Sequence, residues 1–316
     1  MIVFLKKKVS LSKSVSSSNQ YVTQLNGIDL YLKREDLLHP LVSGNKFRKL
    51  KYNLQQAKEQ NKKTILTFGG AFSNHILATS AAAKLNNLNS IGIIRGEELG
   101  GENLEKTLSQ NETLRNAKAM GMQLHFIDRE SYRDKENTLF IERLKNKFGD
   151  FYLVPEGGTN NFAIKGCEEI LTKEDDNFDV ICCPVGTGGT IAGIINSSSN
   201  HQKILGFSTL KGDFLKEEVA SHVKKNNWEI IIDYHFGGYA KVDKGLIDFM
   251  NKFKSEYNVL LDPIYTGKMM YGILDMIEKG EFSKNTRILA IHTGGLQGIS
   301  GINKKLVRKN LPQIIS

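Results

Sequence analysis

Short β-rich apolar runs alternate along the chain with segments of helical pattern. Runs at 64–68, 90–95, 123–127, 151–154, 179–184, 204–208 and 287–292 predict strands, and 73–85, 102–120, 135–147, 161–172 and 267–279 predict helices between them. Several of these helices open on Ser, Asn or Gly, and the first two close near Asn86 and Gly121. Such alternation argues for a largely parallel sheet. No internal repeat or low-complexity tract stands out.

The segment from Asp179 to Gly193 carries the sharpest local signal. A buried-type strand, Asp179-Val180-Ile181-Cys182-Cys183-Pro184, runs through Val185 into Gly186-Thr187-Gly188-Gly189-Thr190 and then into a helix pattern. This layout offers backbone N–H groups and threonine hydroxyls to a phosphate. A Walker loop would need Lys-Ser/Thr after its last glycine, yet Ile191 follows Thr190. A dinucleotide fingerprint counted from Gly186 would need a sixth-position glycine and meets Ile191 again, which disfavours a nicotinamide-dependent oxidoreductase. Five glycine pairs, at 69–70, 157–158, 188–189, 237–238 and 294–295, fall at or soon after apolar or aromatic runs. In open parallel sheets ligands bind outside the carboxyl ends of the strands, so these pairs are expected to line one cleft.

With 316 residues the chain suits two α/β domains or one large one, and 40% apolar with 24% charged residues is ordinary for a globular enzyme. The net charge of +9 is spread over short runs without interleaved aromatics, which favours a solvated basic surface over a nucleic-acid surface. Cys167, Cys182 and Cys183 make no metal-type spacing and read as packed thiols, so no metal is expected. No apolar run approaches membrane-spanning length. The start, Met1-Ile2-Val3-Phe4-Leu5 before Lys6-Lys7-Lys8, lacks the order of a secretory signal, and a cytoplasmic enzyme is the expectation.

Lys33-Arg34-Glu35-Asp36-Leu37 followed by Ser43-Gly44-Asn45-Lys46-Phe47-Arg48-Lys49-Leu50 resembles the pyridoxal-phosphate (PLP) lysine motif of the D-cysteine desulfhydrase and 1-aminocyclopropane-1-carboxylate (ACC) deaminase family, within the tryptophan-synthase-β-like PLP enzymes. The likeness continues through Gly69-Gly70-Ala71-Phe72-Ser73-Asn74-His75, the 186–190 loop, Leu261-Asp262-Pro263-Ile264-Tyr265-Thr266-Gly267-Lys268 and His292-Thr293-Gly294-Gly295, and so spans nearly the whole chain. It implies an α/β PLP fold of type II, with two open, mostly parallel sheets flanked by helices. It also implies a large domain of residues 1–53 plus 157–316, a small domain of residues 54–156, and a homodimer.

By this resemblance Lys46 forms the Schiff base with PLP and returns as the base that moves the substrate α-proton. Both duties need a neutral amine, hence a lysine whose pKa is lowered by a dry site or a nearby cation. Lys49, one turn on if Lys46 opens a helix, can supply that cation or reach the phosphate. The resemblance gives Gly186, Thr187, Gly188, Gly189 and Thr190 to the phosphate, Ser73 to the substrate, and Asn74 to the cofactor's phenolic oxygen and the substrate side. Ser73 is equally suited to a helix N-cap. His75 reads as a polar wall residue. Tyr239 and Tyr265 match two family tyrosines near the substrate, where a phenol stacks or exchanges a proton.

Thr266 and Thr293 bear on the branch. ACC deaminases carry a glutamate facing the pyridine nitrogen at the first position and leucine at the second, and this chain has threonine at both. A carboxylate would hold that nitrogen protonated and strengthen the electron sink, whereas neutral hydroxyls leave it weaker. Opening a cyclopropane demands the stronger sink. Threonine therefore resembles the desulfhydrase branch and implies α,β-elimination on a small amino acid, with D-cysteine giving pyruvate, ammonia and sulfide. ACC deamination, another D-amino-acid lyase such as one for D-serine, and a non-catalytic PLP-binding protein are the alternatives. Phe72, His75, Leu296 and Gln297 depart from the family as expected pocket walls.

Overall fold

The structure is a computed structural model that describes residues 15–316. The start read above, residues 1–8, lies outside the described residues, as does the beginning of the expected large domain. The chain opens on a hairpin of β1 (Asn19–Leu25) and β2 (Ile28–Lys33), turned at Asn26 and Gly27 with φ of 52° and 79°. Two consecutive positive φ values match the right-handed twist of the strands, which is why Asn-Gly sits there. There follow α1 (Asn45–Glu59), β3 (Thr64–Gly70), α2 (Asn74–Leu85), β4 (Asn89–Arg95), α3 (Leu104–Gln110), α4 (Glu112–Ala119), β5 (Met122–Ile127), α5 (Thr138–Phe148) and β6 (Tyr152–Val154). The chain continues through α6 (Asn161–Cys167), β7 (Val180–Val185), α7 (Gly189–Ser197), β8 (Lys203–Ser208), α8 (Leu215–Ala220) and β9 (Trp228–Ile231). It closes with α9 (Lys244–Tyr257), α10 (Thr266–Glu278), β10 (Arg287–Ile291) and α11 (Gly298–Val307).

These strands form two sheets. One has the order β1-β2-β10-β7-β8-β9 and is parallel except for β1; the other has the order β5-β4-β3-β6 and is parallel throughout. All strands of the four-stranded sheet come from residues 64–154. The boundary expected at 53/54 falls inside α1. Phe47, Leu50, Leu54 and Ala57 of that helix pack in one cluster with Ile65, Tyr152 and Val154 of the four-stranded sheet, so one face of α1 leans on it, while the backbone at Arg48 lies against Gly166 of α6. The three cysteines are free and buried, and burial pushes the Cys167 thiol up to about 11.

The expected strands are present with ends shifted by one or two residues, while β1, β2 and β9 were not anticipated. The helix expected over 102–120 is broken. Asn111 takes extended φ/ψ of −121° and 101°, its Oδ1 accepts from Leu114 N–H and its Nδ2 donates to Ala71 O, so one asparagine ends α3 and caps α4. The helix expected over 161–172 stops at Cys167.

The charges of the 33–36 motif are buried or nearly so, and each is paired. Lys33 Nζ lies 2.8 Å from Asp175 Oδ2, and Arg34 holds both oxygens of Asp36. Glu35 receives Arg48 Nε and Nη2 at 2.9 and 2.8 Å and the Ser17 hydroxyl at 2.6 Å. This last pair ties the end of β2 to the second turn of the helix that carries Lys46. Removing one partner strands the other charge in the interior. Glu35→Gln should therefore lower unfolding free energy by about 3–5 kcal/mol, read from the urea midpoint at unchanged m-value. A loss under about 1 kcal/mol would show that the pair is not what anchors α1.

Candidate active site

Parallel strands bring their carboxyl ends to the same side, and a cavity of about 670 Å3 opens there between the two sheets. Four of the five glycine pairs give its wall a residue, Gly70, Gly157, Gly188 and Gly294, and the fifth leads directly into Tyr239, which also lines it.

Lys46 reaches this cavity because of what precedes it. Gly44 takes φ of 59° and lies so close to the end of β10 that a Cβ there would stand 1.9 Å from Thr293 O. Only glycine fits that approach. Asn45 N–H donates to the same Thr293 carbonyl, and Asn45 Nδ2 donates to Thr190 Oγ1 at 2.8 Å, which pins the start of α1 to the loop after β7. Lys46 Nζ then points at Gly157 O, 3.3 Å away, and Lys49 Nζ shares that carbonyl at 3.2 Å.

The two amines stand close together with no carboxylate partner among the described residues. Burial first, and the Lys49 cation second, pull the Lys46 amine down to about 7, and burial lowers Lys49 as well. Lys49 Nζ also donates to Thr159 Oγ1 at 2.9 Å and approaches Thr187 Oγ1 at 3.4 Å. The Thr187 and Thr190 hydroxyls, Lys49 and the first turn of α7 converge on the loop that begins at Gly186, with Gly188 at φ 74°. Unpaired N–H groups at that helix start favour an anion. Gly189 opens α7 beside Lys49 and Thr159 and is not itself among the cavity-lining residues.

On the opposite wall Ser73 precedes α2 at the N-cap position, yet its side chain makes no capping bond, so the hydroxyl is free for a ligand. Asn74 lines the cavity with a buried Oδ1 that has no partner. His75 is a neutral wall residue. Thr67 gives its hydroxyl proton to Val154 O, so His75 Nε2 is the donor to Thr67 at 2.7 Å, and burial with Lys46 and Lys49 nearby drives the ring's pKa well down.

Tyr265 and Tyr239 stand edge to face with centroids 6.2 Å apart. Burial raises both phenols, Tyr265 well above the usual tyrosine range, so Tyr265 holds its proton at neutral pH. Asp262 positions Tyr265: its carboxylate accepts from the N–H groups of Ile264, Tyr265 and Thr266 and from the Thr266 hydroxyl at 2.6 Å.

Thr293 lines the cavity as expected, but Thr266 does not. Its hydroxyl is fully buried, donating to Asp262 Oδ2 and accepting from Asp262 N–H, so it serves the start of α10. Phe72 lines the cavity, whereas Leu296 and Gln297 are not among its lining residues; Leu296 packs toward the core of the six-stranded sheet. Asn45, Thr159 and the Gly157 carbonyl were not singled out in the sequence, although Asn45 adjoins Lys46 and Thr159 follows a glycine pair. Arg95 and Glu156, also on the wall, carried no sequence signal.

A lysine amine held near neutrality beside an anion cradle of hydroxyls, a second lysine and a helix start fits an aldehyde that bears a phosphate. The family model described as pyridoxal-phosphate dependent enzyme matches residues 18–294. The chain belongs to that family. A Pyrococcus horikoshii protein with the provisional name 1-aminocyclopropane-1-carboxylate deaminase is 32% identical over 91% of this chain and 92% of its own length. A mitochondrial Arabidopsis thaliana protein named bifunctional D-cysteine desulfhydrase/1-aminocyclopropane-1-carboxylate deaminase is 33% identical over 87% of this chain and 74% of its own. A solved structure described as an ACC deaminase homologue superposes with a TM-score of 0.77 at 29% identity, covering 97% of this chain and 98% of that one. This PLP-dependent enzyme thus has the type II architecture. Among its described residues no helix is long and apolar enough to cross a membrane.

The lowered Lys46 amine has a consequence for the cofactor-free protein. Below about pH 7 the fold holds a buried cation, and that cost is relieved as pH rises toward the unfolded-state value, so this group makes stability climb between about 7 and about 10.4. Lys46→Met should therefore melt higher than wild type at pH 6, and the gap should shrink by pH 9. A gap that is constant or widens would contradict a buried, suppressed amine.

Proposed function

We propose that this PLP-dependent enzyme is a lyase that removes sulfide from D-cysteine, with pyruvate and ammonia as the other products. The reading rests on a Lys46 amine held near neutrality and on threonines at 293, in the cavity wall, and at 266, behind it, with no carboxylate at either position. When bound, the cofactor supplies the sink for the electron pair left at the substrate α-carbon. The 186–190 loop with Lys49 would hold its phosphate, Asn74 its phenolic oxygen, and Lys46 its aldehyde carbon.

The free Ser73 hydroxyl and the N–H groups at the start of α2 are suited to the substrate carboxylate. Asn74 and His75 complete that wall. Lys46, neutral in a large fraction at physiological pH, takes the α-proton. Tyr265 retains its proton and stands with Tyr239 on the side where a departing thiolate needs one. Asp262, the carboxylate nearest Tyr265, is filled by four donors, and the Thr266 hydroxyl gives its proton to it. The side chains at 266 and 293 are themselves neutral, which suits loss of a thiolate better than opening of a cyclopropane. The names of the Pyrococcus and Arabidopsis relatives favour a second reading, ACC deamination. A homodimer and a cytoplasmic setting belong to the same proposal through the family resemblance.

Borohydride reduction of the yellow holoenzyme should fix the cofactor to the peptide that contains Lys46. Recovery of the label on Lys49 would reverse the two lysines' roles.

Incubation with D- and L-cysteine, D-serine and ACC, following keto acid and sulfide, should show pyruvate and sulfide from D-cysteine and little 2-oxobutyrate from ACC. Faster turnover of ACC than of D-cysteine by the wild type would overturn the electronic argument.

A further inference from the structure

Lys268, on the first turn of α10, has a buried side chain, and its ammonium donates to two backbone carbonyls, His235 O at 2.9 Å and Gly238 O at 2.8 Å. No carboxylate among the described residues hydrogen-bonds it. Burial pulls this group to about 8, while Asp262 before α10 and Asp243 at the start of α9 favour the cation, so it remains charged at neutral pH.

Both carbonyls belong to the turn at 235–240, whose backbone is costly. Phe236, Gly237, Gly238 and Ala240 have φ of 52°, 88°, 112° and 54°. Left-handed backbone costs a residue with a side chain about 1–2 kcal/mol, so Phe236 and Ala240 need support from outside the turn. The turn's own bonds are Gly237 N–H to His235 Nδ1, Gly238 N–H to His235 O and Lys241 N–H to Gly238 O. Two of these use the carbonyls that Lys268 also holds. Tyr239, the cavity residue of this turn, is 49% exposed, with its ring edge-to-face on Tyr265.

We propose that Lys268 is a positioning residue: by clamping the carbonyls of His235 and Gly238 it fixes the turn that keeps Tyr239 against Tyr265 at the cavity. One helix start then places both tyrosines, Tyr265 through Asp262 and Tyr239 through Lys268. The catalytic consequence rests on the reading that Tyr239 faces the substrate; the structural one does not.

Hydrogen exchange of the holoenzyme separates the two. In Lys268→Met, peptides covering 235–241 should exchange at least about tenfold faster than in wild type, while those covering β8 and the rest of α10 stay unchanged. Lys268→Gln, which can still donate to one carbonyl, should be intermediate, and it decides the comparison by the same criterion if the Met variant does not fold. Wild-type exchange in the turn, or acceleration spread evenly through α10 and the sheet, would overturn the proposal.

Kinetics on whichever substrate the panel identifies adds the coupling. If Tyr239→Phe and Lys268→Met each lower kcat about tenfold, the double variant should lose about tenfold, and a loss near a hundredfold would mean independent action and count against positioning. An enzyme inactive on D-cysteine would sink the substrate reading while the exchange comparison still judges Lys268.

Discussion

The close approach of Gly44 to the Thr293 carbonyl is the constraint on which the site depends. It presses the start of α1, a helix that leans on the four-stranded sheet, against the end of β10, a central strand of the six-stranded sheet. Any side chain at Gly44 would separate them. With the contact made, Asn45 reaches Thr190 on the phosphate-type loop and Lys46 enters the cavity, so three consecutive residues join both sheets to the chemistry. The buried Glu35–Arg48 pair braces the same helix from its far side.

Once Lys46 and Lys49 are brought onto one carbonyl without a carboxylate partner, electrostatics shapes the rest. Burial first and the neighbouring Lys49 cation second bring the Lys46 amine down to about 7, and burial lowers Lys49 as well. The hydroxyls of Thr159 and Thr187 and the start of α7 surround that second lysine. Reactive centre and anion cradle are thus two ends of one arrangement. His75 is kept neutral by burial and then by the same pair of lysines, and serves as wall.

Much of this was legible in the chain. The alternation of strands and helices and the 186–190 loop between β7 and α7 follow from local pattern, because a buried strand, a glycine loop and a helix each have a signature within a few residues. The hairpin at Asn26-Gly27 carried an equally strong signal in its turn and flanking alternation and went unread. The break at Asn111 was hidden, since its cause is a hydrogen bond to Ala71, forty residues away in sequence. Thr266 and Leu296 were misplaced for a related reason: a motif shows that residues are near a site, and only the backbone's path decides whether they face it or lie behind it.

The sequence by itself determined the alternation of strands and helices and a glycine loop suited to an anion, because these rest on residue type and short-range spacing, whereas Lys46 was marked out by a family resemblance spread along the chain. Tertiary structure alone decided that Lys46 is suppressed by Lys49, that the Ser73 hydroxyl is left free, that Thr266 is spent on Asp262, and that the Tyr239 turn is held by Lys268. Each of these is set by burial and by partners distant along the chain or by the direction a side chain takes. Desolvation and hydrogen-bond pairing are properties of a place in the folded molecule, and the order of residues does not state them.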